Sequence, residues 1–202
     1  MWTELYRRLG IEPGLTAIIG SGGKTTLIDR LWRELPGTVI VCTSTHIYPA
    51  AELPLFTGKL EHMPVPKLCL GTPAAEGKLT APVQDFESLK ELADYVLVEA
   101  DGAKGLPLKA HLDYEPVIPA CADRTICVVG LWGLGRPIRT AAHRFERYAE
   151  LCSAQPEDLV TPFRAAQVLN REHLADWYVL NGTDAEAFGV LLEKPWTAVQ
   201  FQ

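Results

Sequence analysis

Short runs of apolar residues, many of them β-branched, recur along the chain and predict buried β-strands. Their apolar character is continuous rather than alternating, which is typical of strands that are covered on both faces of a sheet. The predicted strands are residues 15–19, 38–42, 67–70, 95–98, 125–129 and 177–180, with 197–201 as an edge strand.

Between these runs, apolar residues recur three and four positions apart, a spacing that predicts helices with one buried face. The predicted helices are residues 24–35, 85–93, 143–152 and 184–192, and Thr183 is the expected N-cap of the last. Because strands alternate with helices, we expect a mostly parallel sheet with helices on both faces, which is a three-layer α/β/α fold.

The length of the chain, 202 residues, favours a single domain over residues 1–202. Within it, the stretch 47–82 is rich in proline and interrupts the alternation of strands and helices. We expect an irregular insertion there, built around one strand or hairpin.

Composition and charge exclude several classes of protein. Apolar residues make up 48% of the chain and charged residues 22%, which is ordinary for a globular protein. The net charge of -6 argues against a general nucleic-acid binder, whose affinity rests on neutralising phosphates. The chain has no run of about 18 apolar residues, no apolar signal-peptide core at its start and no C-x-x-C pair among its five cysteines. We therefore expect a cytoplasmic protein that binds neither nucleic acid nor membrane.

The strongest chemical signal is a glycine-rich loop between the first predicted strand and the first predicted helix. Its residues are Gly20, Ser21, Gly22, Gly23, Lys24, Thr25 and Thr26. Glycines let the loop curl so that its N–H groups turn inward, and these form an anion site together with the helix N-terminus. Lys24 adds a charge for the outer phosphates, and the Thr25 hydroxyl is a ligand for Mg²⁺. The loop predicts a site for ATP or GTP with Mg²⁺.

The loop departs from the usual G-x-x-x-x-G-K-[ST] pattern, because Ile18 stands where that pattern has its first glycine. Its spacing, G-x-x-G-K-T-T, resembles the shorter loop of Mur-type ligases. The alternative is a glycine-rich turn between strand and helix with a lysine on the surface. That alternative does not explain why Lys-Thr-Thr begins the helix.

Two acidic residues, Glu99 and Asp101, follow the predicted strand 95–98. Ligands of open α/β sheets bind outside the carboxyl ends of the strands, so these carboxylates are expected to face Lys24 and Thr25. We expect Asp101 to hold Mg²⁺ and Glu99 to orient the attacking nucleophile, although the two roles can be exchanged. The predicted catalytic residues are then Lys24, Glu99 and Asp101. Two solvated acids that cap a strand are the alternative.

Other polar residues are weaker candidates for a substrate site. Thr45 and His46 leave the second predicted strand at the same edge of the sheet, where a polar, capped turn is the alternative. Lys104 and Lys109 can clamp an anionic substrate, or they can simply be solvated lysines. Trp132 can stack on a base, but packing in the core is the more common role of such a residue.

Several segments together resemble a known family. They are IIGSGGKTT, CTSTHIYP, VLVEADGAKGLPLKAHLDYEPVIP and CVVGLWGLGRPI. These segments are similar to those of the YqeC-type family of selenium-dependent hydroxylase accessory proteins, and the resemblance spans residues 9–185. It implies a P-loop NTPase-like fold and a role in the maturation of selenium-dependent molybdenum hydroxylases. A molybdenum hydroxylase or another selenium-pathway protein is the partner that it implies.

Members of this family often carry Asn-Lys-x-Asp after a late strand, like the guanine-reading motif of GTPases. Here Asn181 and Asp184 are present, but Gly182 replaces the lysine. Asp184 can accept hydrogen bonds from guanine and Asn181 can donate one, which makes both residues candidates for binding the base. An Asn-Gly turn followed by a helix that Asp caps is the alternative.

Three functions are compatible with these residues. The first is an NTP-hydrolysing maturation factor. The second is an ATP-dependent ligase or kinase for a small molecule, because a triphosphate held by Lys24 and Mg²⁺ needs only a different acceptor. The third is a module that binds a nucleotide without chemistry.

Overall fold

A computed structural model describes residues 4–201 of the chain. The helices are α1 Leu5–Arg8, α2 Lys24–Glu34, α3 Phe86–Leu92, α4 Ile138–Ala141, α5 Phe145–Leu151, α6 Pro162–Glu172 and α7 Ala185–Gly189. The strands are β1 Gly14–Gly20, β2 Val39–Thr43, β3 Leu55–Phe56, β4 Lys67–Leu70, β5 Thr72–Pro73, β6 Leu79–Thr80, β7 Tyr95–Glu99, β8 Leu108–Lys109, β9 Arg124–Gly130, β10 Ala142–His143, β11 Trp177–Asn181 and β12 Trp196–Val199.

The described residues form two compact units, and each unit draws on several segments of the chain. The first unit contains the chain up to residue 18 together with 25–101 and 117–125. The second unit contains 19–24, 102–116 and the chain from residue 126.

Parallel strands in the order β1-β7-β2-β4-β3 form the sheet of the first unit. The interiors of β1, β2 and β7 are buried, as their unbroken apolar runs predict. One core cluster joins Leu15 of β1, Ile40 of β2 and Val96 of β7 to Leu89 of α3. Helix α3 begins where Asp85 accepts a hydrogen bond from the backbone N–H of Ser88.

The proline-rich stretch 47–82 contains β4, which has the bounds that the sequence predicts. The short strand β3 pairs with β4, and β5 and β6 form a separate antiparallel pair. The rest of the stretch is mainly turns and irregular chain, with one short 3-10 helix.

The second unit contains two parallel sheets, one of β9, β11 and β12 and a smaller one of β8 and β10. Helix α6 was not predicted, although the sequence marks its start. The side chain of Thr161 accepts a hydrogen bond from the N–H of Arg164, and Pro162 occupies the first turn.

All four predicted helices are shorter in the structure, and the two in the second unit are shortened most. The helix expected at 143–152 begins only at Phe145, because His143 pairs with Lys109 in the small sheet. The helix expected at 184–192 covers only Ala185–Gly189, and its N-cap is Asp184 rather than Thr183. Even so, the predicted class, an α/β fold of parallel strands flanked by helices, is confirmed.

Within residues 4–201, none of the helices combines the length and the apolar character that are needed to cross a bilayer.

The side chain of Asp123 fastens the start of β1 in the first unit. One carboxylate oxygen accepts a hydrogen bond of 2.7 Å from the N–H of Leu15, and the other lies 3.0 Å from Nζ of Lys90. The hydrogen bond from Leu15 and the ion pair with Lys90 hold the pKa of Asp123 below its ordinary value, although partial burial opposes them.

Replacing Asp123 by Ala should lower the free energy of unfolding at neutral pH by about 1 kcal/mol, because a charged acceptor of two hydrogen bonds is lost at a half-exposed position. The folded pKa is depressed, so this stabilisation is complete above the unfolded pKa of about 3.9 and disappears as the pH falls through the folded pKa. Urea unfolding at pH 7 and pH 3 measures both effects. Asp113→Ala, at an exposed position, is the control. If the variant and the unaltered chain differ in free energy of unfolding by the same amount at both pH values, the stabilising role of the Asp123 carboxylate is contradicted.

Candidate functional site

The phosphate loop, which we define as residues 20–26, has a backbone conformation that favours glycine. Gly20, Gly22 and Gly23 have φ values of 89°, 80° and 129°, in the region that L side chains rarely adopt. Helix α2 begins at the next residue, Lys24. The arrangement of strand, glycine-rich loop and helix that the sequence predicts is therefore present.

Close packing within the second unit also requires these glycines. A methyl group on Gly20 would lie 2.3 Å from the carbonyl oxygen of Val128, and one on Gly22 would lie 2.6 Å from Cα of Gly130. Both neighbours are backbone atoms, which cannot rotate away as a side chain can. The shape of the loop is thus set by direct contact between backbone segments.

Hydrogen bonds hold the loop from three further segments of the second unit. The N–H of Ser21 donates to the carbonyl of Val128 at 2.8 Å, and the Ser21 hydroxyl donates to the carbonyl of Leu106. The side-chain amide of Asn181 donates to the carbonyl of Gly22 at 2.9 Å. Ser21 and Asn181 are both buried, so their contacts contribute to a rigid loop.

The ammonium group of Lys24 turns back toward the loop. Its Nζ donates to the carbonyl of Gly20 at 2.8 Å, and the residue is only 6% exposed. A lysine on the surface, the alternative that the sequence left open, is therefore wrong.

In the first unit, Glu99 and Thr25 lie side by side. Glu99 is the last residue of β7, where it pairs with Ile18 of β1 and Thr43 of β2. The Thr25 hydroxyl lies 3.4 Å from Oε2 of Glu99. Asp101 follows two residues later and is buried, with 2% of its surface exposed. Glu99 thus contacts the Thr25 hydroxyl, and the division of roles between Glu99 and Asp101 stays a prediction.

A magnesium ion prefers oxygen ligands and commonly takes only one or two carboxylates from the protein, with water and substrate phosphates as its other ligands. The Thr25 hydroxyl and the Glu99 carboxylate supply donors of this kind. Among residues 4–201, no group of three or more His, Cys, Asp or Glu side chains has the spacing of a metal site.

The exit of β2 is ordered by hydroxyl groups. The Thr43 hydroxyl donates to the carbonyl of Glu99 at 2.7 Å and accepts from the N–H of Thr45 at 2.9 Å. The Ser44 hydroxyl donates to the carbonyl of Val117. His46 is exposed. These contacts describe a polar, capped strand exit, and a substrate role for Thr45 and His46 stays a prediction.

The two lysines that follow Asp101 in the chain, Lys104 and Lys109, differ in their burial and in their contacts. Lys104 is exposed and has a φ of 49°. Lys109 is buried, forms an ion pair with Glu115 and donates to the carbonyl of Gly102 at 2.6 Å. It lines a small internal cavity together with Gly20 and Ser21 of the phosphate loop. The view of both lysines as solvated is therefore wrong for Lys109.

Glu115, which lies in one of the segments that resemble the known family, and Arg144 complete this ion network. The Nε atom of Arg144 donates to Glu115 at 2.8 Å, and its Nη2 atom contacts the same oxygen at 2.5 Å. Burial acts to raise the pKa of Glu115, but the hydrogen bonds from Lys109 and Arg144 outweigh it and the pKa is lowered. The pKa of His143 is lowered by burial and by the neighbouring charges of Lys109 and Arg144.

Asn181 and Asp184 have different surroundings. The side chain of Asn181 holds Gly22 with its amide nitrogen and accepts from the N–H of Phe201 with its oxygen. The amide nitrogen carries two hydrogens, and the bond to Gly22 uses one of them. Because the other can still donate, the binding of guanine by Asn181 stays a prediction. Asp184 is exposed and makes no side-chain cap. Gly182, which replaces the lysine, has a φ of 137°, where a lysine would be strained.

Comparisons with known proteins identify the family. The family described as YqeC protein matches residues 16–146. The uncharacterized protein YqeC of Escherichia coli strain K12 is 30% identical over 163 residues, which cover 72% of this chain and 63% of that protein. The chain thus spans slightly less than two thirds of the relative's length. No solved structure matches at a significant level. Because the family match covers more than half of its residues, the chain belongs to the YqeC family.

Proposed function

We propose that this protein binds ATP or GTP with Mg²⁺ and hydrolyses it. The observation that carries the proposal is the backbone of the phosphate loop. Positive φ values at Gly20, Gly22 and Gly23, directly before the start of α2, are the conformation by which a chain turns successive N–H groups toward an anion.

The helix that follows supports the same ligand. Helix α2 has 11 residues, long enough for its N-terminal N–H groups and dipole to attract negative charge. No acidic residue lies in its first turn, where a carboxylate would compete with a phosphate. Lys24 stands at this helix start and adds a formal positive charge next to the loop amides.

Thr25 and one of the two acids, Asp101 or Glu99, would hold Mg²⁺ in this proposal. A bound Mg²⁺ would neutralise charge on the phosphate oxygens as the transferred group departs. Glu99 or Asp101 would orient and deprotonate the attacking water, since a carboxylate at a strand end can accept that proton. The 3.4 Å contact between the Thr25 hydroxyl and Glu99 supports the pairing of hydroxyl and acid.

The cellular role that we propose is maturation of selenium-dependent molybdenum hydroxylases, with such a hydroxylase or another protein of the selenium pathway as partner. Membership of the YqeC family and the resemblance of the segment 96–119 support it. In this proposal, hydrolysis is coupled to delivery or insertion of a cofactor into the client.

Replacing Lys24 by Ala should weaken binding of ATP and GTP by roughly 10- to 150-fold, because a charge-assisted hydrogen bond to phosphate is lost. Calorimetric titration in the presence of Mg²⁺ measures this change. The control is Lys59→Ala, at an exposed position outside the loop, which should bind as the unaltered chain does. Equal affinities in the Lys24 variant and the unaltered chain would remove the loop from the binding site.

Replacing Thr25 by Val should abolish most of the gain in nucleotide affinity that Mg²⁺ provides, by about 10-fold, because valine has the same shape without the hydroxyl. Thr25→Ser retains the hydroxyl and should keep the gain. Titration of each variant with ATP in Mg²⁺ and in EDTA makes the comparison. If Mg²⁺ raises the ATP affinity of Thr25→Val and of Thr25→Ser by the same factor, Thr25 is not a ligand of the ion.

Replacing Glu99 by Gln should reduce Mg²⁺-dependent phosphate release by about 100-fold or more, because the amide cannot accept the proton of the attacking water. Nucleotide affinity should change far less, so turnover and binding are measured on the same samples. Asp101→Asn tests the exchanged role. Normal turnover in both variants would contradict an acid-assisted hydrolysis.

The same assay separates the other two functions. Negligible turnover of the unaltered chain until a small-molecule acceptor is added would indicate a ligase or kinase, for which the short G-x-x-G-K-T-T loop is equally suitable. Tight binding without turnover under every acceptor tried would indicate a module that only binds the nucleotide.

A further inference from the structure

Trp132 is an exposed aromatic residue in the second unit. It lies in the short 3-10 turn Leu131–Gly133 that directly follows β9. The residue is 49% exposed, so the packing in the core that its sequence context favours is only partial. About half of the indole is therefore accessible to a ligand, and tryptophan combines a large apolar ring with a polar N–H, which suits it to binding surfaces.

The turn that carries Trp132 is next to the phosphate loop. A methyl group on Gly130 would lie 2.9 Å from Cη2 of Trp132, which shows that the outer edge of the indole covers Gly130. A methyl group on Gly22 would lie 2.6 Å from Cα of Gly130. A single glycine therefore separates the indole from the phosphate loop.

The backbone of the turn that carries Trp132 is well defined by its surroundings. The N–H of Gly130 donates to the carbonyl of Pro107 at 3.0 Å, and the N–H of Leu134 closes the turn on Leu131 at 3.0 Å. A methyl group on Gly133 would clash with Leu108 at 2.7 Å. A turn held in this way loses little backbone conformational entropy when a ligand binds next to it.

We propose that Trp132 is a stacking platform for the base of the nucleotide whose phosphates lie in the phosphate loop. This inference rests on the proposed nucleotide binding and adds how the base is recognised. Every nucleobase has a π face, so stacking on an aromatic ring tolerates different bases and does not distinguish adenine from guanine. Trp132 therefore contributes similarly to the affinity for ATP and for GTP.

Other exposed aromatic side chains of the same unit have different surroundings. Tyr114 is 69% exposed but lies beneath the guanidinium of Arg144, whose carbon is 5.7 Å from the ring centre. Phe163 is 68% exposed and stands in the first turn of α6. Phe163 is the matched control, since its truncation removes an exposed aromatic ring from a different segment.

The experiment compares ATP, GTP and inorganic triphosphate as ligands, each with Mg²⁺, by calorimetric titration. Trp132→Ala should weaken the binding of ATP and of GTP by similar factors. The expected factor is roughly 5- to 150-fold, the range for loss of one stacked base. Its affinity for inorganic triphosphate, which has no base, should be unchanged. Trp132→Phe should keep most of the affinity for both nucleotides, and Phe163→Ala should behave as the unaltered chain.

Each other result has a distinct meaning. If the unaltered chain binds neither nucleotides nor triphosphate, the proposed function fails and the stacking inference falls with it. If it binds all three and Trp132→Ala leaves nucleotide affinity unchanged, the stacking inference alone is overturned. If Trp132→Ala and Trp132→Phe both lose affinity for inorganic triphosphate, and to the same extent, the stacking inference is also overturned. The indole would then only support the loop. Circular dichroism of each variant verifies the fold.

Discussion

The close approach of backbone segments around the phosphate loop is the constraint on which the candidate site depends. Gly20 faces the carbonyl of Val128 and Gly22 faces Gly130, with no space for a β-carbon at either position. Protein interiors are packed too densely to absorb an added methyl group without displacement, least of all when its neighbour is backbone. These contacts therefore determine which residues can build the loop.

A partly buried ion network extends this constraint within the second unit. The Ser21 hydroxyl binds the carbonyl of Leu106, and three residues later Lys109 is held by Glu115, which also binds Arg144. Charges removed from water are tolerated when they are paired and hydrogen-bonded, and here two cations share one carboxylate. The segment after Asp101 is thus fastened at both of its ends, next to the loop and at the start of α5.

Much of the fold could be predicted because local patterns and tertiary packing agree. The strand at 67–70 has its predicted bounds, β1, β7, β9 and β11 extend the predicted runs by one or two residues, and β2 is shifted by one residue from its predicted run. The predictions failed where tertiary contacts override local propensity. His143 has a helical pattern around it but pairs in β10, and Arg144 then adopts a left-handed conformation with a φ of 61°. Helix α6 was missed although Thr161 and Pro162 mark its start.

The sequence by itself determined the α/β class and the strand–glycine-rich loop–helix arrangement of residues 14–34, since both depend on residue order along short stretches. It also placed two acids at the end of one strand. Only the tertiary structure decided that Glu99 contacts Thr25, that Lys109 is buried, and that Asn181 donates to the loop carbonyl of Gly22. These are contacts between residues far apart in the chain, and their partners are chosen by packing and by the pairing of buried charges, which no local pattern encodes.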